Sequence, residues 1–363
     1  MSDIKVNNIQ SLSGTNGPEI SGTVEMNSTG AMSLPRGDTA YRGSRGRGIW
    51  GGGYGASSPY PNLATMDYVQ IATTGIGYDF GDLVQSATVS GGTASSTRGI
   101  FSGGRSPGGS NSYNVMQYVT ISSTGNAFDF GDLTYKPTFS SNASNNTRAV
   151  FAGGYNGISP YSGPSGVGSP WKYIDYATIA STGNASSFGE LSLNRAIYFS
   201  ASSPTRGVFG AGRKTMSTHA SGITHTNVID FVTFATQGNA IDFGDCIQNG
   251  IDNFFGNAGN SSTRAIICSG DDGSGNDNEL SYITLASKGD AIDFGDSIDT
   301  TAGSGGSGTS NQTRGVYRPA SGNTDTALET TLIATLGNST AFGDLNTGRR
   351  VYGSLSDSHG GLG

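Results

Sequence analysis

The sequence is poor in charge, in cysteine and in long apolar stretches, and each shortage argues against a class of protein. Asp, Glu, Lys and Arg make up 13% of the 363 residues and the formal net charge is −7, which argues against general electrostatic attraction to nucleic acid. No run of 18 apolar residues occurs, and the first 30 residues lack a basic stretch followed by an apolar one. We therefore expect a protein synthesised in a cytoplasm, with no secretion signal and no membrane insertion.

The chain has two cysteines, Cys246 and Cys268. Two cysteines cannot form a disulfide framework. A single bridge between them is geometrically feasible, but two buried thiols are the favoured interpretation, so stability must come from packing.

Glycine, in contrast, is abundant, with 59 copies. Glycine is costly inside helices, and the chain is otherwise rich in Ser, Thr, Asn, Val, Ile, Phe and Tyr, which argues against a helix-rich enzyme. The Gly-X-Y period of collagen is absent. The composition predicts an ordered all-β protein.

A segment of sixteen residues recurs six times along the chain. The copies begin at Tyr68 (YVQIATTGIGYDFGDL), Tyr118, Tyr176, Phe231, Tyr282 and Thr330. Each copy contains a Phe-Gly-acid triplet, which falls at Phe80 and Asp82, Phe130 and Asp132, Phe188 and Glu190, Phe243 and Asp245, Phe294 and Asp296, and Phe342 and Asp344. Such self-similarity at a fixed period is the signature of a repeat architecture.

A second element precedes each copy and begins with an arginine. These arginines are Arg47, Arg98, Arg148, Arg206, Arg264 and Arg314, and they are spaced 50 to 58 residues apart. The length varies mainly between this arginine and the following copy, so we expect insertions in one loop of each repeat.

Each unit is predicted to form four short strands, because alternating β-branched and aromatic residues are bounded by Gly, Asn and Ser. Four strands at this period predict one blade of a β-propeller. The opening Ser-rich strand occurs seven times, from Met32 and again from Leu345, while the other strands occur six times. We therefore predict six blades over residues 32–363, with the two terminal copies competing for one place, preceded by a short extended arm over residues 1–31.

The unit resembles the kelch repeat. The matching features are the pairs Gly103-Gly104 and Gly153-Gly154, an aromatic in the third strand (Tyr118, Tyr176), an aromatic in the fourth (Phe130, Phe188), and an arginine opening the unit at Arg36, Arg195 and Arg349, replaced by Lys136 in the second unit. The Gly-Gly pair degrades in the last three units. The resemblance implies a divergent, kelch-like six-bladed propeller and says little about function.

The opening IKVNNIQSLSGTNGP resembles the N-terminal attachment segments of virion structural and tail-fibre proteins of tailed bacteriophages, particularly those of marine cyanobacteria, as does the GNAxDFGDL phrasing of the repeat. The resemblance implies a non-enzymatic virion protein of the tail or baseplate rather than the capsid. Its arm would bind other virion proteins and its propeller loops a host glycan or receptor, with a homo-oligomer as a further expectation. Two alternatives stay open, which are a purely structural or decoration protein of tail or capsid, and a glycan-cleaving enzyme.

The residues that break the repeat are the candidate ligand contacts. The third unit inserts Tyr155, Tyr161, Trp171 and Tyr173 among Gly, Ser and Pro, and the first unit has Tyr54 and Tyr60 in the equivalent loop. Exposed aromatic rings can stack on sugars or pack on protein. The alternative is that they cover a neighbouring blade or subunit.

The other conspicuous residues favour structural roles. We expect each repeat acid to accept backbone N–H bonds in the turn and to pair with an arginine nearby, and each repeat Phe to fill the wedge between blades. His219 and His225 lack the spacing of a zinc pair, and Asp271–Glu279 fails the calcium-loop spacing, so a solvated loop and a polar turn are favoured. Ser356, Asp357 and His359 are too close in sequence to form a triad. No cofactor and no catalytic residue are predicted.

Overall fold

A computed structural model of the chain describes residues 46–55, 61–88, 91–106, 111–155, 167–168, 171–217, 224–247, 257–268, 278–298, 307–318, 326–350 and 352–362. The predicted arm, residues 1–31, lies outside these ranges. The regular elements described are β-strands, with one short 3-10 turn at Gly360–Leu362. None of the described segments forms a helix with the length and hydropathy needed to cross a bilayer.

The strands form six antiparallel four-stranded blades, as predicted. From the axis outward, blade 1 contains β27 (Gly353–Ser356), β1 (Arg47–Gly51), β3 (Thr65–Gln70) and β4 (Tyr78–Asp82), and blade 2 contains β5 (Gly91–Ala94), β6 (Arg98–Ser102), β7 (Val115–Thr120) and β8 (Phe128–Asp132). Blade 3 contains β9 (Ser141–Ser144), β10 (Arg148–Ala152), β12 (Tyr173–Thr178) and β13 (Ser186–Glu190), and blade 4 contains β14 (Phe199–Ser202), β15 (Arg206–Ser217), β16 (Thr224–Thr233) and β17 (Ile241–Asp245). Blade 5 contains β18 (Asn257–Asn260), β19 (Arg264–Cys268), β20 (Glu279–Thr284) and β21 (Ile292–Asp296), and blade 6 contains β22 (Gly308–Ser310), β23 (Arg314–Tyr317), β24 (Ala327–Leu332) and β25 (Thr340–Asp344). Two short pairings are added, β2 (Tyr54–Gly55) with β26 (Arg349–Arg350), and β11 (Val167–Gly168) with β15.

The six innermost strands contact one another in a closed ring, in the order β27, β5, β9, β14, β18 and β22. The C-terminal copy of the Ser-rich strand closes this ring, because β27 pairs with β1 in the register Gly48↔Ser356. Asp357 strengthens the closure, since its Oδ1 accepts hydrogen bonds from the amides of Gly46 (2.5 Å) and Arg47 (3.2 Å). The competing copy at Met32 lies outside the described residues.

The core lies between neighbouring blades. In one cluster, Ile49 and Phe80 of blade 1 pack with Phe101 and Ile121 of blade 2. All six repeat Phe side chains are at most 4% exposed, as expected of side chains that fill the wedge between blades.

Because consecutive strands of a blade are antiparallel, the connections alternate between two faces of the disc. Short turns between the first and second strands and between the third and fourth strands lie on one face, which we call the turn face. The loops between the second and third strands and those leading to the next blade lie on the other, the loop face. The length variation of the repeats therefore falls on the loop face.

Backbone hydrogen bonds tie the outermost strand of each blade to the turn of the next blade. The carbonyls of Phe80 and Asp82 accept from the amides of Gly125 (2.7 Å) and Ala127 (2.8 Å), and this pair of bonds recurs at all six junctions. A Cβ at Gly131 would lie 2.5 Å from the carbonyl carbon of Gly183 in the next turn. Glycine is therefore required in the Phe-Gly-acid triplet by the close approach of the next blade.

The repeat arginines link blades through carbonyl groups, and the predicted pairing with the repeat acids was wrong. Arg98 Nη1 donates to the carbonyl of Ile179 in the next blade (2.9 Å), and its guanidinium lies 4.4 Å from the centre of the Tyr118 ring. All six arginines reach the next blade in this way, five of them over an aromatic ring. Across the described ranges no arginine forms an ion pair with a repeat acid. The guanidinium of each repeat arginine points instead toward the end of the next blade's third strand.

Candidate functional site

The loop face is most elaborate over blades 3 and 4. Strands β15 and β16 of blade 4 extend beyond the length of their counterparts, to Ser217 and from Thr224. The long loop of blade 3 joins this hairpin, because Val167 pairs with Ser217 and Gly168 with Met216. Two adjacent insertions are thus connected by backbone pairing.

Three aromatic rings meet at the edge of this region, and we call them the blade-3 aromatic cluster: Tyr135, Trp171 and Tyr173. Their ring centres are 5.3 Å (Tyr135–Trp171), 5.7 Å (Tyr135–Tyr173) and 6.1 Å (Trp171–Tyr173) apart. Tyr173 is 48% exposed, while the other two rings are half-buried. The cluster breaks the repeat, since Gln85, Leu63 and Thr65 stand at the corresponding positions of the first unit.

Backbone contacts hold the cluster in place. The Trp171 amide donates to the carbonyl of Gly154 (2.7 Å), and the Tyr135 hydroxyl donates to the carbonyls of Gly153 (3.1 Å) and Tyr173 (3.3 Å). Because the backbone on both sides is anchored, the exposed ring of Tyr173 is a preorganised surface.

Two of the other predicted loop aromatics, Tyr155 and Tyr54, are buried. Tyr155 is 7% exposed and stacks on Phe139 at 5.4 Å, and Tyr54 is 8% exposed with the Arg105 guanidinium 5.6 Å from its ring centre. Both cover neighbouring structure, which corrects their assignment as ligand contacts. Tyr60 and Tyr161 lie outside the described residues.

A buried polar position that sequence analysis missed lies beneath the loop face. It is the residue immediately before each copy of the sixteen-residue segment, occupied by Asp67, Gln117, Asp175, Asp230, Ser281 and Glu329. In blade 4, Asp230 Oδ2 accepts from Arg195 Nη2 at 3.0 Å, and in blade 1, Asp67 Oδ2 accepts from Arg349 Nη2 at 2.8 Å. All four side chains are at most 1% exposed. The sequence did contain a signal for this position, because a polar residue recurs at the same place in the otherwise apolar third strand of each unit.

Blade 3 departs from this arrangement. Asp175 is 1% exposed and accepts from the amide (2.7 Å) and hydroxyl (2.8 Å) of Thr134, but no cation in the described part of the chain pairs with it. Burial raises the pKa of Asp175 above its usual value, and the two bonds from Thr134 oppose that rise only in part. Asp175 is therefore a buried carboxylate without a countercharge.

The tyrosine of the aromatic cluster explains this departure. Arg349 donates to the carbonyls of Gly52 and Thr65, and the Tyr135 hydroxyl donates to the equivalent carbonyls in blade 3. The prediction that Lys136 stands at the position of the opening arginine was wrong. Pro137 occupies that position, because its carbonyl accepts from the amide of Gly104 as the Arg195 carbonyl accepts from the amide of Gly154. The cluster thus replaces a buried guanidinium with a tyrosine hydroxyl.

Charged groups border the cluster. Lys172 Nζ lies 2.7 Å from Glu190 Oε2, and both side chains are about two-fifths exposed, at 43% and 39%. Glu190 is the repeat acid of blade 3, and Lys136, the residue after Tyr135, is exposed. An aromatic face with neighbouring donors and acceptors can bind a polyhydroxylated ligand.

The axis of the propeller contains a small polar cavity of about 40 Å³, lined by serine, threonine and asparagine side chains and by His359. Asn142 Oδ1 and Thr309 Oγ1 lack a protein partner there. A cavity of this size has room for about three waters at ~10–15 Å³ each, which such atoms would bind, and is too small for a sugar ring.

The C-terminal residues close this cavity at the turn face. His359 Nε2 donates to the carbonyl of Ala94 (2.9 Å), and its Nδ1 accepts from the amide of Gly361 (3.1 Å). Burial lowers the pKa of His359 from 6.5 to about 4, so the imidazole is neutral at pH 7. The Ser356 hydroxyl and Asp357 bind the backbone of other strands, so with His359 they form a structural closure.

The remaining candidates that lie in the described ranges do not assemble a reactive site. Cys246 and Cys268 are both free thiols, the first buried and the second half-buried. His225 lies in β16, whereas His219 and residues 271–277 are outside the described ranges. Within those ranges no three His, Cys, Asp or Glu side chains converge as a metal ion would require. No known family model and no curated protein matches the chain.

Proposed function

We propose that this chain is a non-enzymatic binding propeller of a tailed-phage virion, in which the loop face contacts the host surface and the N-terminal arm attaches the protein to the particle. The observation that carries the binding role is the difference between the two faces. The turn face is built from near-identical turns bonded blade to blade, while the length variation and the blade-3 aromatic cluster lie on the loop face. A rigid scaffold that presents variable loops on one side is typical of a binding platform.

The ligand class that fits the aromatic cluster is a carbohydrate. The exposed ring of Tyr173 offers a flat apolar face for the C–H side of a sugar, and Lys172 and Glu190 offer a donor and an acceptor at its edge. An aromatic cage for a quaternary ammonium group is a poorer fit. The three ring centres lie only 5.3 to 6.1 Å apart, which leaves no space for a cation between them.

Binding to purified cyanobacterial lipopolysaccharide, measured by calorimetry, tests the ligand. Tyr173→Ala should weaken binding roughly tenfold, since loss of a stacking ring is worth on the order of 1 kcal/mol or more. Tyr173→Phe keeps the ring and should retain most of the affinity. The matched control is Tyr78→Ala, which removes a tyrosine that is 56% exposed on the outermost strand of blade 1. Equal binding by Tyr173→Ala and the unaltered protein would refute carbohydrate stacking at this cluster.

The virion assignment has its own test. Density for the propeller in an intact particle, at a distal tail position with the loop face toward solvent, is the expected result. Loop faces buried against other subunits would instead indicate a purely structural or decoration protein, and turnover of the polysaccharide would indicate an enzyme. Deleting residues 2–30 should abolish incorporation into particles while leaving a folded propeller, and normal incorporation would refute the docking role of the arm.

A further inference from the structure

A guanidinium group on the loop face is held between two aromatic rings from neighbouring blades. Arg105 follows β6, in the loop between the second and third strands of blade 2, and is half-buried. Its guanidinium carbon lies 5.6 Å from the centre of the Tyr54 ring and 5.5 Å from the centre of the Phe139 ring. Both rings are buried. We call these three residues the arginine clamp.

Hydrogen bonds and a ring contact hold the clamp in place. The Arg105 amide donates to the carbonyl of Thr88 (3.3 Å), and the Arg105 carbonyl accepts from the Thr88 amide (3.2 Å) and from Asn62 Nδ2 (2.7 Å). The Phe139 ring is held from its other side, where it stacks on Tyr155 at 5.4 Å. The guanidinium is therefore positioned before a ligand arrives, so little conformational entropy is lost on binding.

The guanidinium of Arg105 has N–H donors that the protein does not use. Within the described ranges none of them donates a hydrogen bond and no carboxylate forms an ion pair with the group, and Nε is buried without a partner. Arg98 also lies over an aromatic ring, but its Nη1 donates to the carbonyl of Ile179. An arginine has five donors and no acceptor, so Arg105 is a fixed cation that lacks an oxygen partner.

The second ring of the clamp is placed by a strained backbone. Phe139 has a φ of 58°, in the left-handed region that bulky L residues rarely adopt. Ile197 stands at the same position of blade 4, nine residues before the repeat arginine, and has an ordinary negative φ. Strained residues of this kind occur mainly at ligand-binding and catalytic sites. The strain at Phe139 therefore supports a function for the clamp beyond packing.

The clamp is adjacent to the blade-3 aromatic cluster. Tyr155, which stacks on Phe139, directly follows Gly154, and the Gly154 carbonyl accepts from the amide of Trp171 (2.7 Å). One stretch of backbone thus has the clamp on one side and the cluster on the other. A chain of sugars that stacks on the cluster can extend over this backbone to the clamp.

We propose that Arg105 binds an anionic group of an acidic glycan, an inference that rests on the proposed carbohydrate binding at the loop face. A guanidinium with unused N–H groups binds carboxylate, sulfate or phosphate oxygens through paired, charge-assisted hydrogen bonds. The chain has a net charge of −7, which repels acidic polymers, so a fixed cation is needed to hold one. Tyr54 and Phe139 are positioning residues, because they orient the guanidinium.

Inorganic sulfate tests the anion site without any sugar. The Nε–H signal of Arg105 in nitrogen-15 spectra, identified by its loss in Arg105→Met, should shift to saturation with sodium sulfate and stay unchanged with sodium chloride at the same ionic strength. An Arg105 signal that sulfate leaves unchanged would overturn the proposal. A thermal midpoint of Arg105→Met close to that of the unaltered chain checks that the variant folds.

A matched pair of sugars tests the glycan. By calorimetry, the unaltered protein should bind oligogalacturonate at least about tenfold more tightly than its methyl ester, which has the same rings and no charge. Arg105→Met should bind both forms equally, and Arg105→Lys, which keeps the charge, should retain part of the preference. The control is Lys288→Met, which removes an exposed cation 6.0 Å from the Phe231 ring centre on the turn face and should keep the full preference.

The two proposals fail in different ways. Tyr173→Ala should weaken binding of the acid and the ester alike, whereas Arg105→Met should weaken binding of the acid alone. Equal binding of the two forms by the unaltered protein would overturn the anion site and leave carbohydrate stacking intact. Sulfate binding at Arg105 without binding of either sugar would overturn the acidic glycan as the ligand, together with the carbohydrate binding on which it rests.

Discussion

The same substitution at the same blade position should have opposite effects in blades 4 and 3. Asp230→Asn and Asp175→Asn both replace a buried carboxylate by an amide on the third strand. In blade 4 the carboxylate has a buried guanidinium beside it, and in blade 3 it has none. The pair of variants therefore separates what the ion pair contributes to the free energy of unfolding from what the hydrogen bonds contribute.

Asp230→Asn should be strongly destabilising. It leaves Arg195, which is fully buried, with its Nη2 facing an uncharged amide in place of the carboxylate at 3.0 Å. Breaking a buried pair on one side costs about 3–5 kcal/mol, because the remaining charge stays desolvated. For a domain of this size we expect the thermal midpoint to fall by about 1.5 °C for each kcal/mol.

Asp175→Asn should be neutral or stabilising at neutral pH. The amide oxygen can still accept from Thr134, and blade 2 already uses an amide at this position, where Gln117 Oε1 accepts from the amide of Gln85 at 2.9 Å. Removing a buried carboxylate that has no countercharge should gain on the order of 1 kcal/mol.

The pH dependence identifies the cause. Because the pKa of folded Asp175 is raised above the unfolded value near 3.8, the folded state holds its proton more tightly than the unfolded state. The Asp175 contribution is therefore most favourable below pH 3.8 and is lost as the pH rises through the folded pKa. The advantage of Asp175→Asn should be absent at the acid end and present at pH 7. Thermal midpoints of both variants at several pH values are the assay, and an Asp175→Asn variant as unstable at pH 7 as Asp230→Asn would refute the reasoning.

Two further outcomes concern the links between blades. His359 is neutral in the folded protein, because its pKa is lowered from 6.5 to about 4. Its contribution to the free energy of unfolding is therefore complete above pH 6.5 and is lost as the pH falls toward 4. His359→Gln should remove that acid-dependent loss, which amounts to up to about 3 kcal/mol, from thermal melting curves recorded at different pH values. Arg264 lies 4.3 Å from the centre of the Tyr282 ring and bonds the next blade, whereas Arg314 makes the same carbonyl bonds in blade 6, where Thr330 stands at the position of Tyr282. Arg264→Ala should therefore lower the free energy of unfolding by about 0.5–1 kcal/mol more than Arg314→Ala, and equal losses by chemical denaturation would contradict a cation–π contribution.

The repeat made most of the architecture predictable. A Phe at the same place in six copies must have the same environment six times, and all six side chains are buried as expected. Ring closure could not be assigned in this way, because the Ser-rich copies from Met32 and from Leu345 are both compatible with the innermost strand. The choice depends on contacts that follow the strand, such as those of Asp357 with Gly46 and Arg47.

Contacts between blades were the weak point of the sequence analysis. The arginine and the acid of one unit lie within reach in sequence, but each instead bonds the following blade, and neither partner is apparent from spacing. Tyr155 was expected to be exposed because its neighbours are Gly, Ser and Pro, yet Phe139, sixteen residues earlier, provides the ring on which it stacks. Tyr135 was missed because it lies in a connection of ordinary length rather than in an insertion.

The two departures with the clearest cost lie on opposite faces of the disc. On the loop face, Tyr135 takes the place of a guanidinium and leaves Asp175 buried without a countercharge; on the turn face, Ile76 leaves the amide of Asp344 without the side-chain acceptor found at five other junctions. Blades 1 and 4 contain the arginine, and five junctions contain the side-chain acceptor, so the repeat itself provides residues that complete these bonds. The first departure places the Tyr135 ring beside the exposed Tyr173. The second places the apolar side chain of Ile76 at the surface of the face that also carries the exposed Leu332. The sister blades of a repeat protein thus serve as an internal reference. We expect binding at the positions where one blade lacks a bond that its sisters form and exposes an aromatic or apolar side chain.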